Sequence, residues 1–216
     1  MDLPRTAFLR RTPAAYAALC AVPGVGLAVA GLFHPHSLNA ETAQQWYLPH
    51  LPGIFFFPLV GVALAVLVWR RQDPLAWVVR IAAYTYATFY TALDAISGVG
   101  AGYVTREMVA REGAGYERAP EISLLFRIGT PLGEVGSWAL IVCAVALVVD
   151  QVRRHGMLGL PSLVLVLGAY LVHIGHIFAP TGVVGMALIG LTTAYLAAAG
   201  RLGTQGADRR VEGAAV

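Results

Sequence analysis

The chain has 216 residues, of which 57% are hydrophobic and 12% are charged, with a formal net charge of +3 and a mean hydropathy of +0.67. A soluble globular domain carries about 25% charged residues, so this composition excludes an ordinary soluble protein and predicts a membrane protein. All fifteen basic residues are arginines that cluster at segment ends, a pattern that does not indicate nucleic-acid binding.

Six apolar stretches approach or exceed the roughly 20 residues that a helix needs to cross a bilayer. Short polar turns separate most of them, and the longest polar stretch, residues 101–122, is predicted to be a loop. The fold class expected is therefore an all-α, polytopic bundle of six transmembrane helices that forms one domain over residues 1–216. The predicted helices cover roughly residues 14–33, 51–69, 75–99, 124–149, 157–179 and 182–200.

The first stretch follows an arginine-rich start and could be mistaken for a signal peptide. It is longer than the 7–15 apolar residues of a typical signal sequence, and Pro23-Gly24 interrupts it. We therefore expect it to remain in the protein as the first membrane helix.

The orientation of the bundle follows from the distribution of arginines between its two sides. With a cytoplasmic N-terminus, eleven arginines lie on the inner side and four on the outer side, which agrees with the positive-inside rule. We expect a multi-pass protein of a bacterial plasma membrane with both termini in the cytoplasm. The inner group is Arg5, Arg10, Arg11, Arg70, Arg71, Arg80, Arg153, Arg154, Arg201, Arg209 and Arg210; the outer group is Arg106, Arg111, Arg118 and Arg127.

Small residues in the first and last stretches predict close contact between helices. Gly24, Ala28, Gly182, Gly185 and Gly190 would let neighbouring backbones approach one another. The first three and last three stretches share no recognisable repeat, so an inverted-repeat transporter receives no support.

Seven ionisable residues from five of the stretches fall near one depth, at the outer end of the predicted bundle. Titratable groups are costly in lipid and usually face the bundle interior, where they mark a site or a pathway. We find no comparable group in the inner half, so the sequence predicts an outer-leaflet site. These residues are His34, His36, His50, Asp94, Glu134, His173 and His176.

Helical spacing suggests which of these side chains act together. His173 and His176 are three residues apart and share a helix face, so we expect them to be metal ligands, joined by Asp94 and Glu134. A structural pair between Glu134 and Arg127 is the simpler alternative for that carboxylate. The interfacial histidines His34, His36 and His50 could close the site, and His50 is best placed because Pro52 fixes the start of its helix.

Three classes of function fit this set of side chains. Imidazoles and carboxylates from several helices suit zinc, iron or copper, and a metal-bound water could act on a lipid-soluble small molecule. A b-type haem held by His50 and His173 would instead make a redox protein. Without a cofactor, Asp94 and Glu134 could serve as catalytic acids and bases in an isomerase or cyclase, or relay protons in a transporter. A structural polar cluster in an accessory subunit is the remaining alternative.

The aromatic residues are interpreted more simply. Trp46, Tyr47, Trp69 and Trp77 fall at predicted interfaces and indicate a membrane-anchoring belt. Tyr84, Tyr86, Phe89 and Tyr90 are expected to pack within the bundle, and Tyr90 also shares a helix stripe with Asp94, where its hydroxyl could support the site.

Overall fold

The protein is mostly helical in the part described by the computed structural model, which covers residues 13–113, 116–117 and 119–213, with side chains between residues 14 and 200. No strand occurs within those ranges. The helices are α1 (Pro13–Leu32), α2 (Ala43–Val66), α3 (Pro74–Leu93), a π-helical segment (Asp94–Gly100), α4 (Ala101–Glu112), α5 (Pro120–His155), a 3₁₀ segment (Gly156–Ser162), α6 (Leu163–Gly175) and α7 (Thr181–Gly213).

Four helical stretches in the described ranges are long and apolar enough to cross a membrane. They are Ala14–Leu32, Ala43–Val66, Pro120–Gly175 and Thr181–Gly200. The third is 56 residues long and folds back on itself, because α6 packs against α5. Gly156 makes the reversal possible with a φ of +57°, a conformation that glycine adopts without steric cost.

Each of the six predicted stretches coincides largely with helix, but several boundaries differ from the prediction: α5 extends over Pro120–His155, α6 ends at Gly175 and α7 continues to Gly213. The helix α2 begins at Ala43, eight residues before the expected start. The predicted loop over 101–122 is wrong, because α3 continues through the π-helical segment into α4 and ends only at Glu112. A helix keeps its own backbone hydrogen bonds when it leaves the hydrocarbon, so loss of hydrophobicity does not by itself end it.

Glycines bring the first and last helices together, as their small size predicts. A Cβ added at Gly24 would lie 2.7 Å from the Cα of Gly190, and one added at Gly168 of α6 would lie 2.9 Å from the carbonyl oxygen of Gly185. The backbones of α1 and α7, and of α6 and α7, are therefore in direct contact. The long helices α3 and α5 form the other closely packed pair.

The end of the bundle that holds the last turns of α5 contains a buried acidic residue that was not predicted from the sequence. Asp150 is 2% exposed and forms an ion pair with Arg71, and Arg154 lies 3.8 Å from its other oxygen. The expectation of no ionisable group in the inner half is therefore wrong. Asp150 lies at the apolar boundary of α5, where counting residues from the sequence could not distinguish a buried side chain from a solvated one.

Arg80 reaches the same end by extending along the bundle. Its guanidinium donates hydrogen bonds to the carbonyl oxygens of Val68 and Trp69, at 2.9 Å and 2.7 Å. The predicted orientation also depends on arginines that the described ranges do not include. Arg5, Arg10, Arg11 and Arg118 lie outside the described residues, as do the side chains of Arg201, Arg209 and Arg210.

Candidate metal centre

A cavity of ≈ 260 Å³ lies between α2, the π-helical segment, α5 and α6. Its walls include Asp94, Glu134, His173 and His176, the four side chains that the sequence predicted to share one cavity. His50 also lines it, from α2. Five of the seven ionisable residues that the sequence places near one depth therefore line a single cavity.

Three histidines form the tightest ionisable group at this end of the bundle. One ring nitrogen from each of His34, His50 and His176 lies within 4.8 Å of the other two. His34 follows α1, His50 belongs to α2, and His176 directly follows α6. Three separate parts of the chain therefore contribute to one nitrogen-rich cluster.

Hydrogen bonds fix the protonation of two of these rings. Nδ1 of His34 lies 2.7 Å from the carbonyl oxygen of Pro35, and Nδ1 of His50 lies 2.6 Å from that of Trp46. Because a carbonyl oxygen can only accept, both Nδ1 atoms carry the proton, and in neutral rings both Nε2 atoms carry a lone pair. These two Nε2 atoms are 3.1 Å apart.

Neither ring can donate to the other, so the two lone pairs repel unless a cation lies beside them. A proton is disfavoured in that position, because burial lowers the pKa of His34 to about 4 and keeps its imidazole neutral at pH 7. The pair therefore has the electronic arrangement of two ligands for a metal ion.

A buried carboxylate lies next to this pair. Asp94 is 1% exposed, and neither of its oxygens has a hydrogen-bond partner. Its Oδ1 lies 3.9 Å from Nε2 of His50. A buried carboxyl group without a partner is costly. A cation or a hydrogen-bond donor beside Asp94 would therefore stabilise this side chain, as a cation would stabilise the two imidazoles.

Local backbone structure explains how Asp94 and His50 come so close. Asp94 begins the π-helical segment, and π-helical turns inside α-helices occur frequently at functional sites. A Cβ on Gly98 in that segment would lie only 2.0 Å from the imidazole of His50, and one on Gly53 would lie 2.7 Å from a carboxylate oxygen of Asp94. Glycine at both positions permits the approach of α2 and this segment.

His176 enters the cluster through an unusual backbone conformation. It has a φ of 48°, and it is the one non-glycine residue with positive φ in the described ranges. Such a conformation costs about 1–3 kcal/mol and recurs at functional sites. Its Nδ1 lies 2.7 Å from the hydroxyl of Tyr90, a group that can accept from Nδ1–H and so leave Nε2 for a ligand.

His173 and Glu134 lie at the other end of the cavity. Nδ1 of His173 is 2.9 Å from the hydroxyl of Ser137 and 4.0 Å from a carboxylate oxygen of Glu134. The Glu134 side chain is 58% exposed, and it forms no ion pair with Arg127, although both residues are described. The same-face spacing of His173 and His176 therefore does not bring both to the histidine cluster, because α6 ends between them at Gly175.

His36 lies outside the cluster altogether. Its ring is exposed and stacks on Phe178, with ring centroids 5.5 Å apart. His34 is the more deeply buried of the two, whereas the sequence prediction favoured His36 as a ligand. Both rings contact Phe178, but only that of His34 is buried.

Two aromatic residues, Trp46 and Tyr90, support the cluster, and the prediction for Trp46 is wrong. Trp46 is 6% exposed and is therefore not part of an anchoring belt. It packs edge-on against His34 and donates from Nε1 to the carbonyl oxygen of Ser97 at 3.2 Å. Tyr90 does pack inside the bundle, as expected, and it also contacts His176. The spacing of Trp46 four residues before His50 is the one sequence signal that could have suggested its role.

Comparison of the chain with protein families, with curated proteins and with solved structures yields no match.

Proposed function

We propose that this protein is an integral membrane metalloprotein that binds one transition-metal ion through His34, His50 and His176. The observation that carries this proposal is the pair of Nε2 lone pairs that face each other across 3.1 Å, with both Nδ1 protons held by carbonyl oxygens. Hydrogen bonds of this kind to the distal ring nitrogen are typical of metal-bound histidines, because they orient the ring and raise its basicity.

The distance between His34 and His50 fits a zinc-like tetrahedral ion, and the nitrogen of His176, which lies within 4.8 Å of the other two, would move closer when the ion binds. With metal–nitrogen bonds of 2.0–2.1 Å, two nitrogens on a tetrahedral ion are about 3.3 Å apart, close to the 3.1 Å between His34 and His50. Three imidazoles leave a fourth position for water or substrate, as in catalytic zinc sites. Asp94, at 3.9 Å from His50, is close enough to accept a hydrogen bond from a water in that position, or to bind the ion directly after a small movement.

The chemistry that such an ion supplies is that of a Lewis acid next to a general base. A metal lowers the pKa of bound water, and a carboxylate beside it can take up the proton. We propose that the ion and Asp94 act on a small molecule that is soluble in lipid. Haem is less well supported, because the rings of His34 and His50 have centroids only 4.7 Å apart, and Nδ1 of His173 already lies 2.9 Å from the hydroxyl of Ser137.

Metal analysis of the purified protein tests this proposal. We expect about one equivalent of zinc after purification in detergent, and a cobalt-substituted form with the visible absorption typical of tetrahedral coordination. The variant His36→Ala is the matched control and should keep its metal, since that ring lies outside the cluster. A Soret band would instead support haem, and metal-free, spectrally silent protein would redirect the proposal to proton handling by Asp94 and Glu134.

We further propose that the chain crosses the membrane six times, with both termini in the cytoplasm and the metal centre toward the extracytoplasmic side. The stretch Pro120–Gly175 would supply two crossings, since α6 folds back along α5, and α3 would supply one. This orientation is supported by Arg71 and Arg154 beside Asp150, which lies about 24 Å from Glu134 along α5 at 1.5 Å per residue. A bacterial plasma membrane is the setting that fits this topology.

Reporter fusions test the orientation directly. Alkaline phosphatase folds only outside the cytoplasm, so a fusion after Gly203 should be inactive and an insertion near Gly113 should be active. The physical reason for this expectation is that arginine-rich loops remain on the cytoplasmic side of the membrane. The reverse pattern would place the metal centre on the cytoplasmic side.

A further inference from the structure

The cavity has an exposed end and a buried end. Thr130 and Glu134 on α5 are exposed at one end, and His50 and Asp94 are almost fully buried at the other. His173 lies between them, with 17% of its side chain exposed. A molecule that reaches the histidine cluster through this cavity must therefore pass Glu134 and His173, between α5 and α6.

The surface around the exposed end is apolar on both helices. Val135 and Trp138 flank Glu134 on α5 and are 45% and 56% exposed, and Tyr170 and Ile174 flank His173 on α6 and are 52% and 56% exposed. Side chains of this type face lipid when they lie on a helix long and apolar enough to cross a membrane. The opening is therefore surrounded by a surface suited to hydrocarbon.

Glu134 is out of place on such a surface unless it has a function. An ionisable side chain among lipid-facing residues is costly, and such residues usually face a cavity or a pathway. Glu134 meets this description, because it lines the cavity while more than half of its side chain is exposed. Its neighbours Ser137 and His173 add hydrogen-bonding groups on the inner side of the opening.

We propose that the cavity opens laterally into the membrane between α5 and α6, and that it admits the oxygen-bearing head group of a lipid-soluble amphiphile past Glu134 toward the histidine cluster. The volume supports a head group as the occupant. At ≈ 260 Å³, the cavity lies below the roughly 300–1,000 Å³ of sites that enclose whole small molecules. The apolar remainder of the ligand would stay in the hydrocarbon, against Trp138 and Ile174.

The lateral opening can be tested without knowledge of the ligand. Protein in liposomes would be treated with dicyclohexylcarbodiimide, which is lipid-soluble, or with a water-soluble carbodiimide plus glycine ethyl ester, and modified carboxyl groups would be located by mass spectrometry. We expect the lipid-soluble reagent to modify Glu134 at least about tenfold faster than the water-soluble one, because apolar reagents concentrate in hydrocarbon. Exposed Glu121, at the start of α5, should react faster with the water-soluble reagent. The variant Glu134→Gln should show no modification at that position.

A second measurement tests the occupant. Dodecyl hydroxamate carries a metal-binding head on an apolar chain, and acetohydroxamate carries the same head alone. We expect the dodecyl compound to slow the modification of Glu134 by about tenfold at a concentration where acetohydroxamate has no effect, since only the former partitions into lipid. Equal protection by both compounds would overturn entry from the membrane.

This proposal rests on the proposed metal centre for the destination of the head group, but not for the opening itself. Preferential modification of Glu134 in protein that binds no metal would overturn the metal centre and support the lateral opening. Modification of Glu134 mainly by the water-soluble reagent would overturn the lateral opening, whatever the metal content.

Discussion

Alanine in place of His50 should abolish stoichiometric metal binding. His50 is 2% exposed. Its Nε2 lies 3.1 Å from Nε2 of His34 and 3.9 Å from Oδ1 of Asp94. Removal of a direct ligand should weaken binding by more than the 10–100-fold typical of changes to groups that only orient a ligand. We therefore expect a loss of at least about 100-fold in metal affinity.

Competition with a chromophoric chelator in detergent solution would measure this affinity. The matched control is His173→Ala, which removes a cavity-lining histidine outside the three-histidine cluster and should reduce affinity by less than about tenfold, as a peripheral change. The helical spacing of the sequence leads to the opposite ranking, in which His173 is a ligand and His34 matters less. Retention of metal by His50→Ala together with its loss in His173→Ala would support that ranking and reject the centre described above.

The positions of the helices could be predicted from the sequence because hydrophobic length is a local property. A stretch such as residues 182–200 is apolar enough to identify without knowledge of its neighbours. The end of α4 at Glu112 could not be predicted in this way, because the segment that precedes it becomes polar while the helix continues. The burial of Asp150 was missed for a related reason, since it depends on Arg71 from a distant part of the chain.

The depth of the cavity residues could be predicted from the sequence, but which of their side chains approach one another could not. Counting residues along helices gives depth and face, and this was sufficient to bring Asp94, Glu134, His173 and His176 to one space. It does not give the distance between helices. That distance determines whether His173 or His50 lies next to Asp94. It depends on glycines, because they allow two helices to approach closely.

Gly98→Ala should disrupt the metal centre without changing any ligand. The added Cβ would lie 2.0 Å from Cδ2 of His50, so the imidazole must leave its position or α2 must move away. Overpacking of this kind typically costs about 1–3 kcal/mol. We expect a lower unfolding temperature in detergent and a loss of metal affinity comparable to that of His50→Ala.

Gly100→Ala provides the control from the same π-helical segment. A Cβ there would have its nearest neighbour, the carbonyl oxygen of Ala95, at 3.3 Å, so the two variants share the change in helix propensity and differ mainly in the contact with His50. Gly100→Ala should keep both metal and stability. In the double variant Gly98→Ala/His50→Ala the clash is absent, so we expect much of the lost stability to return while metal binding stays absent. Equal behaviour of the Gly98 and Gly100 variants would mean that the close approach of α2 to the π-helical segment does not position His50, and that some other contact holds its ring.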